Sequence, residues 1–120
     1  MDANKRRIWD SWEVIAISYL QNKWMKILET NHTIKWGEID IIGKSGDITV
    51  FIEVKLRNSL KFWIPEAAFT KAKKRHLLRS IQYYCKKKNL NLWCIRADFI
   101  SITNENWEYK IIHHENIEMN

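Results

Sequence analysis

The sequence predicts an α/β fold, a mixed sheet flanked by helices in the order αβββαββ. Three patterns carry this reading. Apolar residues at helical spacing open the chain, two runs rich in β-branched residues flank a turn signal, and a second helical stripe precedes two more strand-like runs. A length of 120 residues suits one domain, 1–120. Such a chain buries roughly two-thirds of the surface its unfolded form exposes, so it needs neither metal nor disulfide simply to fold.

The first helix is expected over 8–22, where Ile8, Trp12, Ile15 and Tyr19 share one face. A short strand follows at 24–29, and Asn31-His32-Thr33 reads as a turn. Strands at 38–42 and 48–56 are joined by Lys44-Ser45-Gly46-Asp47, with Ser45-Gly46 as the two-residue hairpin loop. Pro65 and Glu66 suit a helix start, and that helix runs to Lys88. Its apolar stripe is Leu77, Leu78, Ile81, Tyr84 and Cys85; Arg75, Arg79 and Lys86 take the opposite face. Strands at 92–102 and 107–113 close the chain, joined by a turn at 103–106.

Apolar residues make up 46% and charged residues 28%, which with 1 Pro and 3 Gly excludes a linker, a collagen repeat or a low-complexity chain. No apolar run is long enough to span a bilayer, and Asp10 and Glu13 interrupt any secretory signal. Cys85 and Cys94 form no CxxC and read as free thiols of a cytoplasmic protein. The net charge of +6 is unevenly spread: residues 67–97 hold nine basic side chains and no acid. That favours a polyanionic partner. The seven tryptophans exceed the usual share and read chiefly as core or dimer contacts, with stacking on bases as the alternative.

The hairpin is the most informative stretch. Alternation puts Ile39, Ile41, Ile48, Val50, Ile52 and Val54 on an apolar face. The other face carries Glu38, Asp40, Phe51, Glu53 and Lys55. With Ser45-Gly46 as the loop, Glu38 faces Glu53, and Asp40 is its diagonal neighbour at roughly 7 Å. Carboxylates crowded in this way repel each other, and a hard divalent cation, Mg²⁺ or Mn²⁺, removes the conflict. A plain sheet with one wet face is the competing account of the same residues.

An acid, a hairpin and then Glu-x-Lys resemble the PD-(D/E)xK nuclease signature. More closely, the chain resembles the YraN family, which is similar to Holliday-junction resolvases. The matching motifs are Glu13, Ala16, Tyr19 and Leu20; Gly37-Glu38-Ile39-Asp40; Glu53-Val54-Lys55-Leu56-Arg57; Lys73; and Arg96-Ala97-Asp98. They fall in order over residues 12–102. Departures from the family pattern are Trp12, Thr33, Trp63 and Ala97, none of them in the acid–acid–lysine set.

The resemblance implies a restriction-endonuclease-like core and a metal-dependent endonuclease acting on DNA, branched DNA included, as a homodimer. It implies Asp40 and Glu53 as metal ligands, with the Val54 carbonyl as a third; Glu38 reads as an outer ligand or as a rim charge. Lys55 would orient water or stabilise the transition state, or pair with the acids, and Glu13 would complete the metal shell or hold its waters, or is an ordinary acid of the amphipathic helix. Arg57, Lys73, Arg75 and Arg79 are the candidate phosphate contacts. His76, His113 and His114 read as structural. Two other readings fit the same chain: a nucleic-acid-binding module of this fold without turnover, with RNA as well as DNA open to it, and a basic protein-interaction domain.

Overall fold

The computed structural model describes residues 3–34, 37–57, 70–105 and 107–119. Its elements are α1 (Ala3–Asn22), β1 (Lys26–Ile34), β2 (Gly37–Ser45), β3 (Ile48–Arg57), α2 (Lys71–Lys88), a short 3₁₀ turn (Leu92–Cys94), β4 (Ile95–Glu105) and β5 (Glu108–His114). The expected order αβββαββ is thus observed. The strands form one sheet in the order β1-β2-β3-β4-β5. All neighbours are antiparallel except β3 and β4, which are parallel and joined by the segment that contains α2.

Helices cover both faces. Ala16 and Leu20 of α1 pack on Ile41, Val50, Ile52, Ile100 and Ile102; under α2 lie Ile39, Ile42, Phe51, Ala97 and Phe99. Of the stripe expected of α2, Leu77, Ile81, Tyr84 and Cys85 are buried against the sheet, whereas Leu78 is half-buried. Phe51, expected on a wet face, is fully buried there because α2 lies over it. The face is open to charge only from Glu53 onward.

Several boundaries differ from expectation. The helix start expected at Pro65 and Glu66 lies outside the described residues. The described helix begins at Lys71, where the Thr70 hydroxyl accepts the Lys73 N–H at 3.2 Å as its N-cap. The hairpin loop is Gly46-Asp47, not Ser45-Gly46, because Ser45 pairs with Ile48. Gly46 takes φ 61, the left-handed backbone that a two-residue hairpin needs at its first loop position. The turn expected at 103–106 is instead strand up to Glu105, which pairs with Glu108.

The largest difference is at Asn31-His32-Thr33, which continues β1 instead of turning. Asn31 sits at φ 50, and this one left-handed residue reverses the alternation. Glu29 and His32, three residues apart, therefore both face α2. The Tyr84 hydroxyl donates to Glu29 at 2.6 Å, and the His32 ring meets the Tyr84 ring at 5.2 Å. Strand β2 shifts at the same row: Ile39 and Ile42 pack under α2, and Ile41 under α1. Ile39 and Ile41 therefore do not share a face. Asp40 occupies the point where the alternation breaks.

Candidate functional site

The sheet forks at Asp40. Pairing of β2 with β3 ends at Ile41↔Ile52, whereas β1–β2 pairing continues to Ile34↔Gly37 and β3–β4 pairing to Arg57↔Thr103. Past the fork, the backbone donors on the β2 side of β3 lose their ladder partners. The Asp40 carboxylate replaces one, accepting the Val54 N–H at 2.8 Å. The one-residue shift of the hairpin loop sets Asp40 opposite Glu53 along this register, not diagonal to it. Lys55, two residues on and on the same face, reaches the Glu53 carboxylate at 3.3 Å.

The pair is electrostatically uneasy. Burial, then the Glu53 charge and that of Glu38, push the Asp40 carboxyl up to about 7, against the pull of the Val54 N–H and Lys55. Burial also raises Glu53, opposed by Lys55, Lys73 and a hydrogen bond with Asp40. Two half-buried carboxyls with hard oxygen donors, both shifted toward the protonated form, are the donor set that a divalent cation relieves.

Other expected members lie farther out. Glu13 accepts a hydrogen bond from the Asn31 amide at 2.9 Å, so α1 brings it to the residue beside Asp40 in the neighbouring strand. Glu38 is exposed, and its charge bears on Asp40. Among the described residues no three His, Cys, Asp or Glu side chains gather closely enough to hold a metal ion, so neither acid completes a three-carboxylate set. Mg²⁺ commonly binds through one or two carboxylates, with water and substrate oxygens completing its shell, and Asp40 with Glu53 and the Val54 carbonyl fit that pattern.

The basic candidates divide by position. Lys73, in the first turn of α2, is exposed and acts on the Glu53 charge. Arg75, Arg79 and Lys86 are exposed along the helix, as the stripe requires. Arg57 ends β3, and its side chain lies outside the described ones.

A second polar cluster on the α1 side had no role assigned from sequence. Asp98 is fully buried and accepts four hydrogen bonds: Arg96 Nε at 2.9 Å, Arg96 Nη2 at 3.0 Å, His113 Nε2 at 2.7 Å and the Asn116 N–H at 2.9 Å. A carboxylate only accepts, so His113 carries its proton on Nε2 and its Nδ1 accepts from the Tyr19 hydroxyl at 3.2 Å. Lys23 donates in turn to Tyr19 at 3.1 Å. The signal in the sequence was the motif itself, since Tyr19, Arg96 and Asp98 are all motif positions. His113 was expected to be structural, and its contacts agree.

Among the described residues no helix is long and apolar enough to cross a membrane. Cys85 is buried and Cys94 exposed, both free thiols.

Comparison with known sequences agrees with the motif order. The family described as Uncharacterised protein family UPF0102 matches residues 12–102, a span that takes in Glu13, Asp40, Glu53, Lys55 and Asp98 and stops short of His113. The chain is 35% identical over 114 residues to a UPF0102 protein of Carboxydothermus hydrogenoformans, covering 95% of this chain and 97% of the other. It is 39% identical over 99 residues to one of Caldicellulosiruptor saccharolyticus, covering 82% and 84%. It is 40% identical over 99 residues to one of Clostridioides difficile, covering 82% and 87%. With its motifs in family order and these relatives matched over most of their length, the chain belongs to family UPF0102, the YraN family.

Proposed function

We propose that this protein is a metal-dependent endonuclease that hydrolyses DNA phosphodiesters, branched DNA included. The observation that carries the reading is the Asp40–Glu53 carboxyl pair at the sheet fork with Lys55 beside it. A Mg²⁺ or Mn²⁺ ion would be held by Asp40, Glu53 and the Val54 carbonyl, and when bound it supplies an acidified water and offsets phosphate charge. The protein does the rest. The Val54 N–H fixes one Asp40 oxygen, so the carboxyl is oriented before any ligand arrives. Glu53 holds the Lys55 ammonium beside the pair, placed to stabilise the negative charge that grows on the phosphate in the transition state. Asn31 anchors Glu13 next to Asp40, where it can hold a water. Exposed Arg75, Arg79 and Lys86 on α2 suit phosphate contacts that position DNA without reading its sequence. Cutting both strands of a duplex or junction needs two such sites, so the assembly we propose is a homodimer; a monomer at every concentration in sedimentation would remove that part.

The test is an activity panel of linear, branched and single-stranded DNA with Mg²⁺ and Mn²⁺, run beside a binding titration across salt. Wild type is expected to cut at least one substrate. The Arg75→Ala, Arg79→Ala, Lys86→Ala triple variant is expected to lower the salt slope of log K by about 0.9 for each phosphate it no longer neutralises. Binding without turnover in either metal would turn the reading into a nucleic-acid-binding module, and identical salt slopes would favour a protein partner.

A further inference from the structure

Among the described residues three tryptophans stand almost wholly in solvent: Trp24 at 92%, Trp93 at 94% and Trp107 at 96% exposure. An exposed indole forgoes a large hydrophobic gain, so each invites a partner. Their charge settings differ. Trp107 sits in the β4–β5 turn next to the exposed Glu108, whose charge repels phosphate. Trp24 follows Lys23, whose ammonium is already engaged by Tyr19 at 3.1 Å and Glu115 at 3.6 Å. Trp93 follows Lys86 and Lys87, both exposed, in the stretch 67–97 that has no acid in sequence; Lys88 lies over the Tyr84 ring at 6.0 Å.

The backbone under Trp93 is fixed. The Asn91 side chain accepts the Trp93 N–H at 2.9 Å, and the Asn91 carbonyl accepts the Cys94 N–H at 3.0 Å. On one side Asn89 closes α2 with φ 55, its N–H directed to the carbonyls of Cys85 and Lys86. On the other, Ile95 enters the sheet opposite Thr49. The ring is therefore offered by a short rigid turn between a helix and a strand. Leu92 beside it, 57% exposed, extends the apolar surface.

The first turn of α2 acts on the Glu53 charge through Lys73, and the helix runs 18 residues from there. Ile95 lies opposite Thr49, four β3 residues before Glu53, so Trp93, two residues earlier still, lies about 20 Å from Glu53 along the strands at roughly 3.3 Å per residue. That is about six nucleotide steps at roughly 3.4 Å each. Cations along the helix hold phosphates, but an indole takes the face of a base. Inside a duplex both faces of each base are covered by its neighbours, so it is an unpaired base that is free to turn onto such a ring.

We infer that Trp93 is a stacking post for an unpaired base at the far end of the α2 cationic track. The DNA this protein selects then has duplex along α2 and an unpaired position about six nucleotides from the phosphate at Asp40 and Glu53. This inference rests on the DNA reading of the preceding subsection and names its substrate more closely.

The experiment is fluorescence anisotropy with the full chain in EDTA, so that nothing is cut. Two fluorescein-labelled DNAs are used, a blunt duplex and the same duplex with a single-stranded flap. Trp93→Ala is expected to weaken flap binding by about 5- to 100-fold and blunt-duplex binding by less than about twofold, with the salt slope unchanged, because a stacked base carries no counterion. Trp93→Phe restores most of the flap affinity, and Trp107→Ala leaves both DNAs unaffected. Equal weakening of both DNAs by Trp93→Ala, or no weakening of either, overturns the inference. If wild type cuts DNA and Trp93→Ala binds the flap normally, only the stacking post fails. If the flap effect is present and no metal supports cutting, the post stands and the nuclease reading fails. No binding of either DNA by wild type removes both.

Discussion

Asp40 and Asp98 both lie in the sheet, two strands apart, and the protein treats their charges in opposite ways. Asp98 is fully buried, which alone would raise its pKa. Hydrogen bonds from His113, Arg96 and the Asn116 backbone outweigh that burial and hold it below the ordinary carboxylate range. Asp40 has one backbone donor and an acidic neighbour, and burial with that neighbour drives it up to about 7. A carboxylate given four donors is a structural pin, here joining α1, β4, β5 and the segment at Asn116. A carboxylate left next to another acid is unfinished as structure, and its chemistry is completed by a cation or a proton.

The largest expected effect tests the pin. Asp98→Asn leaves donors from Arg96 and His113 facing an amide, and loss of such a buried partner destabilises by about 3–5 kcal/mol. Denaturant unfolding reads this as a lower midpoint. A change under about 1 kcal/mol would erase the contrast between the two aspartates.

Lys55→Ala probes the other region. The variant is expected to lose turnover by about 10²- to 10³-fold, the usual effect of removing one transition-state stabiliser, with DNA affinity close to wild type. Equal losses of binding and turnover would make Lys55 a phosphate contact only.

The two aspartates also predict opposite pH limbs. A carboxyl raised in the folded state binds its proton more tightly there than in the unfolded chain. Its stabilisation is complete below the ordinary carboxylate pKa and is lost as pH rises through about 7. Asp98, lowered on folding, stabilises above the ordinary carboxylate pKa and loses that effect as pH falls through its own lower value. Asp40→Asn keeps an oxygen for the Val54 N–H and removes the repulsion. Its metal-free form is expected to be at least as stable as wild type at about pH 8 and to lack the decline between about pH 4 and 7. If Asp40→Asn were less stable than wild type at that higher pH, Asp40 would be a pin like Asp98.

The smallest effect concerns the kink. Asn31→Gly keeps the left-handed backbone and loses the bond to Glu13, so its stability should change by no more than about 1 kcal/mol. Asn31→Val, which resists φ 50, should lower stability and turnover together.

What the sequence made legible follows from regularity. Strand β3 alternates without interruption, so Glu53 and Lys55 could be placed on one face from spacing alone, and the α2 stripe needed only the helical period. Asp40 was placed beside Glu53, but for an incomplete reason. The hairpin loop lies one residue later than expected because Gly46 takes the first loop position, and that brings Asp40 opposite Glu53. The fork and the break at Asn31 were hidden because Asn-His-Thr has turn chemistry, and only the β1–β2 pairing shows it continuing as strand. The Asp98 cluster was hidden for another reason. Its motif residues were visible, but His113 lies 15 residues from Asp98 in sequence, and the β5 register that joins them depends on a hairpin with Trp107 at φ 67.

Mn²⁺ calorimetry on wild type and Asp40→Asn, each with and without DNA at a pH just below about 7, tests the central claim most directly. Asp40 must shed its proton to bind a cation, so wild type should show saturable heat that varies with the ionisation enthalpy of the buffer. The Asp40→Asn protein should show little binding and no such dependence. Indistinguishable titrations for the two proteins, or no Mn²⁺ binding by wild type even with DNA present, would contradict the assignment of the Asp40–Glu53 pair as a cation site.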